Sequence, residues 1–330
     1  MHKLIFFDLE GPLSPQDNAY EVMGLLKNGY KIFEVISRYD DLLTLEKRKN
    51  YEPGDTLALV APFLVYHKIS SADIKKISEK AVVIEGAKEL VENLCSKGWN
   101  CYIISTSYEQ HAYNIGSKIG IPKENTICTK FPIDSYLKEF ENEDFSLVSD
   151  IEDKILALHP PEFEKDEKIK SILDSFFFKD LLETPLGKII KNTLVIGGER
   201  KVEAVKKIVD SAKKKFDEIV VVGDSITDFK MLKFINENKG LAIVFNGNEY
   251  AIPYGTVAVA STNIFHLLPL LTSWEKKGRK GVVSLAKELE KSSIELPYYH
   301  YLGNKKKLDE IIKIHKNIRK IVRGEAGKLG

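Results

Sequence analysis

The stretch that decides the fold is Leu4-Ile5-Phe6-Phe7-Asp8-Leu9-Glu10-Gly11-Pro12. Four consecutive apolar residues end at a carboxylate. A short apolar run of this kind reads as a central strand of a parallel sheet, whose side chains are buried on both faces. Two later runs end the same way: Cys101 to Ile104 stops at Ser105, and Ile219 to Val222 stops at Gly223-Asp224. Helical patterns separate the three runs, and this alternation predicts a parallel sheet covered by helices. Ligands of open α/β sheets bind beyond the carboxyl ends of the strands, so Asp8, Ser105 and Asp224 stand where chemistry is expected.

The segments between the strands set the expected domain plan. From Ser14 to about Lys80 the apolar residues Ile32, Val35, Ile36, Tyr39, Leu42 and Leu43 recur at helical spacing, which predicts a helical insert. Glu85-Gly86-Ala87 opens a helix over Lys88 to Ser96 that stops at Lys97-Gly98. A second, charged helical excursion runs from about Ile133 to Pro185, broken at Pro160-Pro161. Leu241 to Phe245 and Thr256 to Ala260 extend the sheet. Beyond Thr272, helices are expected around Val282 to Leu289 and Leu308 to Val322, with Tyr298-Tyr299-His300-Tyr301 packing between them. The plan is a core of residues 1–13, 82–132 and 186–271, a helical cap of 14–81, a second insert of 133–185, and a basic C-terminal helical extension of 272–330.

Composition bounds the function class. Of 330 residues, 43% are apolar, enough for a sizeable core, yet no run approaches the ~20 apolar residues of a membrane helix. The nearest, Leu57 to Tyr66, is too short and reads as the core of the cap. The N-terminus carries no signal-peptide pattern. Cys95, Cys101 and Cys128 form no C-x-x-C pair, and the seven histidines have no metal-binding spacing. These features predict a cytoplasmic protein without disulfides or a zinc site. With 49 basic and 48 acidic residues, the chain has no overall nucleic-acid footprint, and neither a nucleic acid nor a membrane is expected as a partner. The sign is uneven: 15 basic and 7 acidic residues lie from Thr272 onward, against 34 and 41 before it. Such a run reads as a solvated helical face.

The residues at the strand ends suggest oxygen-ligand chemistry. Asp8 and Glu10 lie two apart, a spacing that lets both carboxylates converge on one volume and then requires a compensating cation. Asp224 and Asp228, in Gly223-Asp224-Ser225-Ile226-Thr227-Asp228, are four apart on a loop-to-helix turn, which can bring them to one side. An all-oxygen set points to Mg²⁺. Ser105, and Lys201 at the start of a helix, are suited to holding phosphate oxygens. Arg38 and Arg48 in the first insert are able to clamp a substrate carboxylate, but a solvated surface is the simpler reading.

Taken in order, these motifs resemble the haloacid dehalogenase superfamily of phosphatases and phosphotransferases. Phe6-Phe7-Asp8-Leu9-Glu10-Gly11 matches its first motif, Ser105 its second, Lys201 its third, and Gly223-Asp224 with Asp228 its fourth. Glu85-Gly86-Ala87-Lys88-Glu89-Leu90 and Lys97-Gly98-Trp99-Asn100 are similar to the phosphoserine phosphatase branch. The resemblance implies a Rossmann-like core with a cap, and Mg²⁺-dependent hydrolysis of a small phosphorylated metabolite through an aspartyl-phosphate. Asp8 would be the nucleophile and Glu10 the acid/base. Ser105 and Lys201 would bind the phosphoryl group, and Asp8, the Glu10 carbonyl, Asp224 and Asp228 would serve the metal. Most members carry Asp where Glu10 stands; Asp-Leu-Glu-Gly is similar to the phosphoserine:homoserine phosphotransferase branch, so transfer to a small alcohol is an alternative. A phospho-accepting regulatory protein with little turnover is another, although receivers of that kind lack the Asp-x-Glu pair.

Overall fold

Lys3–Phe7 (β1) lies inside a seven-stranded sheet in the computed structural model of the chain, which describes residues 3–292 and 294–328. The other strands are Trp99–Tyr108 (β2), Thr126–Thr129 (β3), Ile219–Gly223 (β4), Leu241–Phe245 (β5), Val257–Ala260 (β6) and Tyr298–Tyr301 (β7). Their order is β3-β2-β1-β4-β5-β6-β7, parallel throughout except for β7. From β1 the chain passes first to one side, pairing Phe7 with Ile103, and later to the other, pairing Phe7 with Val222. β1 is therefore the topological switch point, where such sheets open a crevice beyond their strand ends. The expected α/β Rossmann-like architecture is present.

Fourteen α-helices surround this sheet among the described residues. Asn18–Met23 (α1), Gly29–Leu45 (α2), Thr56–Tyr66 (α3) and Ser71–Lys80 (α4) follow β1; Ala87–Ser96 (α5) and Glu109–Ile119 (α6) flank β2. Ile133–Glu139 (α7), Ser146–Leu156 (α8), Asp166–Ser175 (α9) and Gly187–Asn192 (α10) form the second excursion. Glu199–Ser211 (α11) precedes β4, Phe229–Glu237 (α12) follows it, and Leu268–Ser292 (α13, kinked at Gly278) and Leu308–Arg323 (α14) flank β7. In α2 the expected stripe of Ile32, Val35, Ile36, Tyr39 and Leu43 is buried, whereas α3 is buried along nearly its whole length. No single helix among the described residues is long and apolar enough to cross a membrane.

The two excursions share one core. Val22, Ile36 and Phe63 of the first belong to the same buried apolar cluster as Val148, Ile155, Leu173 and Phe177 of the second. α10 packs on α3, and Ile189 and Val195 join this cluster, so the stretch from 186 to about 195 packs with the inserts rather than with the sheet core where it was expected. Its apolar side chains find a partner there because α3 exposes apolar surface all round. Polar ties cross the same seam. Arg38 Nε donates to Asp166 Oδ1 at 2.9 Å and its Nη2 to Asp166 Oδ2 at 2.5 Å, while Arg48 and the buried Tyr39 hydroxyl both donate to Asp174. Arg38 and Arg48 are thus spent on holding the inserts together, not on a solvated surface or a substrate carboxylate.

The C-terminal extension is not wholly helical. Tyr298–Tyr301 pairs antiparallel with β6, placing Val259 opposite Tyr299, because alternating aromatic residues fit a pleated edge. α14 has its lysines outside, but Ile311, His315, Ile318 and Arg319 are buried along one stripe. The basic run is therefore only partly a solvated face.

The seam between the inserts makes a stability test. Asp174→Ala leaves the buried Tyr39 hydroxyl and Arg48 without their acceptor and is expected to cost about 1–3 kcal/mol. Glu92→Ala, which breaks an exposed pair with Lys88, is expected to cost less than about 0.5 kcal/mol. Urea denaturation midpoints check both, and equal midpoints would contradict this role for the seam.

Candidate active site

Asp8 begins where β1 ends, and its N–H still donates to the Val222 carbonyl at 2.8 Å. That bond keeps the loop after β1 beside the loop after β4. The same adjacency explains Gly11, whose φ is +115° and whose missing Cβ would fall 2.1 Å from Asp224 Oδ2. Any side chain there would collide with the second acidic loop.

Lys201 joins the two loops. It lies in the first turn of α11, is fully buried, and donates from Nζ to Asp8 Oδ1 and to Asp228 Oδ1, each at 2.6 Å. Asp228 has a second duty: its Oδ2 accepts the N–H groups of Asp224 at 2.9 Å and Ser225 at 3.2 Å, fixing the turn before α12. Burial works against the charge on Lys201, but the Asp228 and Asp8 carboxylates outweigh it and hold the ammonium above the ordinary lysine range. Burial, then the Asp228 charge, pushes Asp8 up to about 7 against the pull of Lys201.

Glu10 sits in a separate polar nest. Its Oε1 accepts from Ser107 Oγ at 2.5 Å and from the Asn18 N–H at 3.0 Å. Burial and the nearby Asp17 carboxylate raise it to about 8, outweighing those two hydrogen bonds and Arg323. A carboxyl raised in this way holds its proton toward neutral pH, as a general acid must. Ser105 does not reach this nest; it is buried and its Oγ accepts the Ser107 N–H at 3.0 Å, while Thr106 lines the pocket.

One carboxylate oxygen each from Asp8, Asp224 and Asp228 lie within 4.8 Å of one another, all buried. Asp224 Oδ1 is buried with no hydrogen-bond partner. A hard divalent cation answers both the clustered charge and the orphaned oxygen, and an all-oxygen set suits it. The Glu10 side chain lies outside this group of three.

The pocket lies between the strand ends and the cap, lined by Asp8, Glu10, Thr106 and Thr227 from the core and by Asp40, Asp41 and Leu57 from the cap. Burial raises Asp40 to about 7, against hydrogen bonds from the Tyr51 hydroxyl and the Gly54 N–H, and raises Asp41 to about 6. Two arginines of α14, Arg319 and Arg323, complete the wall, and Arg319 pairs with Asp224 Oδ2. Sequence reasoning did not single out Ser107, Asp17, Asn18, Arg319 or Arg323. Ser107 was recoverable from the two-residue period of β2. The arginines were masked by the lysines around them, although their four-residue spacing continues the stripe of Ile311 and His315.

The structure of a gene product from Archaeoglobus fulgidus aligns with this chain at a TM-score of 0.83 and 28% identity, covering 100% of this chain and 99% of that one. The inserts and the C-terminal extension thus recur in that protein. Phosphoserine phosphatase structures also align, one in the apo form (TM-score 0.47, 15% identity) and one with substrate bound (TM-score 0.49, 13% identity), each over 82% of this chain and 98% of the other. No protein-family model matches the chain, and no curated protein matches it.

The raised carboxyls make stability depend on pH. A carboxyl whose folded pKa lies above its unfolded value binds more protons when folded, so its contribution is full below the unfolded value and is lost as pH rises through the folded one. For Glu10 that window runs from the ordinary glutamate value of 4.5 to about 8. Chelator-treated protein is therefore expected to be more stable at pH 5.5 than at pH 8, and Glu10→Gln to flatten the slope by up to about 1.4 kcal/mol per pH unit. Thermal melts across that range check it; an unchanged slope would contradict the protonated state of Glu10.

Proposed function

We propose that the chain is a phosphohydrolase of the haloacid dehalogenase type, acting on a small phosphomonoester through an aspartyl-phosphate at Asp8. The observation that carries this reading is the pairing of two opposite environments. Asp8 is held by Lys201 beside Asp224 and Asp228, and Glu10, two residues on, lies in a separate buried nest with Ser107 and Asn18, where burial and Asp17 favour its protonated form.

In the first half-reaction an Asp8 oxygen attacks phosphorus. The new Asp8 O–P bond forms as the ester P–O bond breaks, and the leaving oxygen takes the proton of Glu10. With Oε1 engaged by Ser107 and Asn18, Oε2 is the oxygen that carries this proton. In the second half-reaction water gives a proton to Glu10 and attacks phosphorus, breaking the Asp8 O–P bond and restoring both carboxyls. Lys201 neutralises Asp8 and the phosphoryl oxygens, and Thr106, with the backbone set by Ser105, offers further donors. Asp8, the Glu10 carbonyl, Asp224 and Asp228 would hold Mg²⁺, which when bound supplies charge neutralisation for the nucleophile and the transferring oxygens. Gly11, with its positive φ, gives the longer Glu10 the loop path it needs. The cap overhangs the pocket through Asp40, Asp41 and Leu57, a setting that favours a small metabolite and suits transfer to a small alcohol as well. A protonated Glu10 argues for turnover over a passive phospho-acceptor.

Phosphate release from p-nitrophenyl phosphate tests the reading. Activity is expected to vanish with a chelator and to return with Mg²⁺. Asp8→Asn should be inactive though folded, and Glu10→Asp slower by about tenfold or more, ~1.4 kcal/mol in the barrier. Near-normal turnover in Asp8→Asn would overturn the mechanism.

A further inference from the structure

The proposed chemistry leaves unexplained a cation placed by the C-terminal extension in the acidic cluster. Arg319 is 2% exposed, and burying a guanidinium is costly unless it is paired. It is paired: Nη1 donates to Asp224 Oδ2. Arg323, one turn on, reaches the same oxygen at 3.3 Å and donates from Nε to the Pro15 carbonyl at 3.1 Å, spanning the loops after β4 and β1.

α14 is anchored to the loop it serves. Its buried His315 accepts the Gly247 N–H at Nδ1, at 3.3 Å, and its Nε2 meets His300 Nδ1 of β7 at 3.1 Å. Gly247 precedes Asn248, whose N–H donates to the Asp224 carbonyl at 3.0 Å. The helix thus grips the backbone next to Asp224 and its side chain at once.

The division of the Asp224 oxygens is the decisive geometry. Arg319 and Arg323 take Oδ2, while Oδ1 is left buried and without a hydrogen-bond partner on a carboxylate grouped with those of Asp8 and Asp228. We propose that Arg319 is a positioning residue: by clamping Oδ2 it turns Oδ1 toward the divalent cation, so that the C-terminal extension is part of the active site. This rests on the phosphohydrolase reading only in expecting a cation at this cluster. The clamp acts through Asp224 and need not touch substrate.

Calorimetric titration of the full chain with Mg²⁺ tests this without turnover. Arg319→Ala is expected to weaken Mg²⁺ binding at least tenfold, and millimolar guanidinium to recover part of the loss, which a merely structural defect would not allow. Lys316→Ala, on the exposed side of the same helix, should bind as wild type. Should the alanine variant fail to fold, Arg319→Lys, which keeps charge but lacks the planar fork, is expected to show the same weakening. Unchanged binding in folded Arg319 variants would overturn the clamp while leaving the phosphohydrolase reading intact. Tighter binding would overturn it too, by making Arg319 a competitor of the cation. Absence of any Mg²⁺ binding by wild type would remove both readings.

Discussion

The rest of the site depends on holding the Asp8, Asp224 and Asp228 carboxyls together in a buried crevice. Three buried carboxylates within a few ångströms repel, and each is costly to desolvate. The chain meets this from three directions. Lys201 bridges Asp8 and Asp228 from α11, backbone N–H groups satisfy the other oxygen of Asp228, and Arg319 and Arg323 reach Asp224 from α14. Remote parts of the sequence must therefore fold together before the cluster is tolerable.

The same constraint explains the placement of the cluster. Strand order reverses at β1, so the loops after β1, β2 and β4 meet over one crevice, and Gly11 lets two of them approach closely. The cap then roofs the crevice as a single body, because its two sequence segments share an apolar core and are stitched by Arg38 to Asp166 and Arg48 to Asp174.

Much of this is legible in the sequence because it is local. The apolar run before Asp8, the strand before Gly223-Asp224 and the helical spacing around Ile32 to Leu43 each carry their structure within a few residues. What was not legible depends on distant partners. Arg38 looks like a surface residue until Asp166 is beside it, and Ile189 packs with the inserts only because α3 is apolar on every side. Arg319 is one basic residue among fifteen in the tail, and burial alone sets it apart. The Tyr298 to Tyr301 segment carries strand-forming residues, but its role as a seventh strand requires the edge of β6. Ser105 stood at the expected strand end, yet its hydroxyl serves the backbone, and the hydroxyl that touches Glu10 belongs to Ser107.

The central claim is that Asp8 becomes covalently phosphorylated. The most direct measurement is borohydride reduction of protein quenched during turnover of p-nitrophenyl phosphate in the Glu10→Gln variant, followed by peptide mass spectrometry. An acyl phosphate is reduced to an alcohol, so the account expects homoserine at position 8 and unmodified carboxyls at positions 224 and 228. Reduction at another carboxyl, or at none while substrate is being consumed, would contradict it.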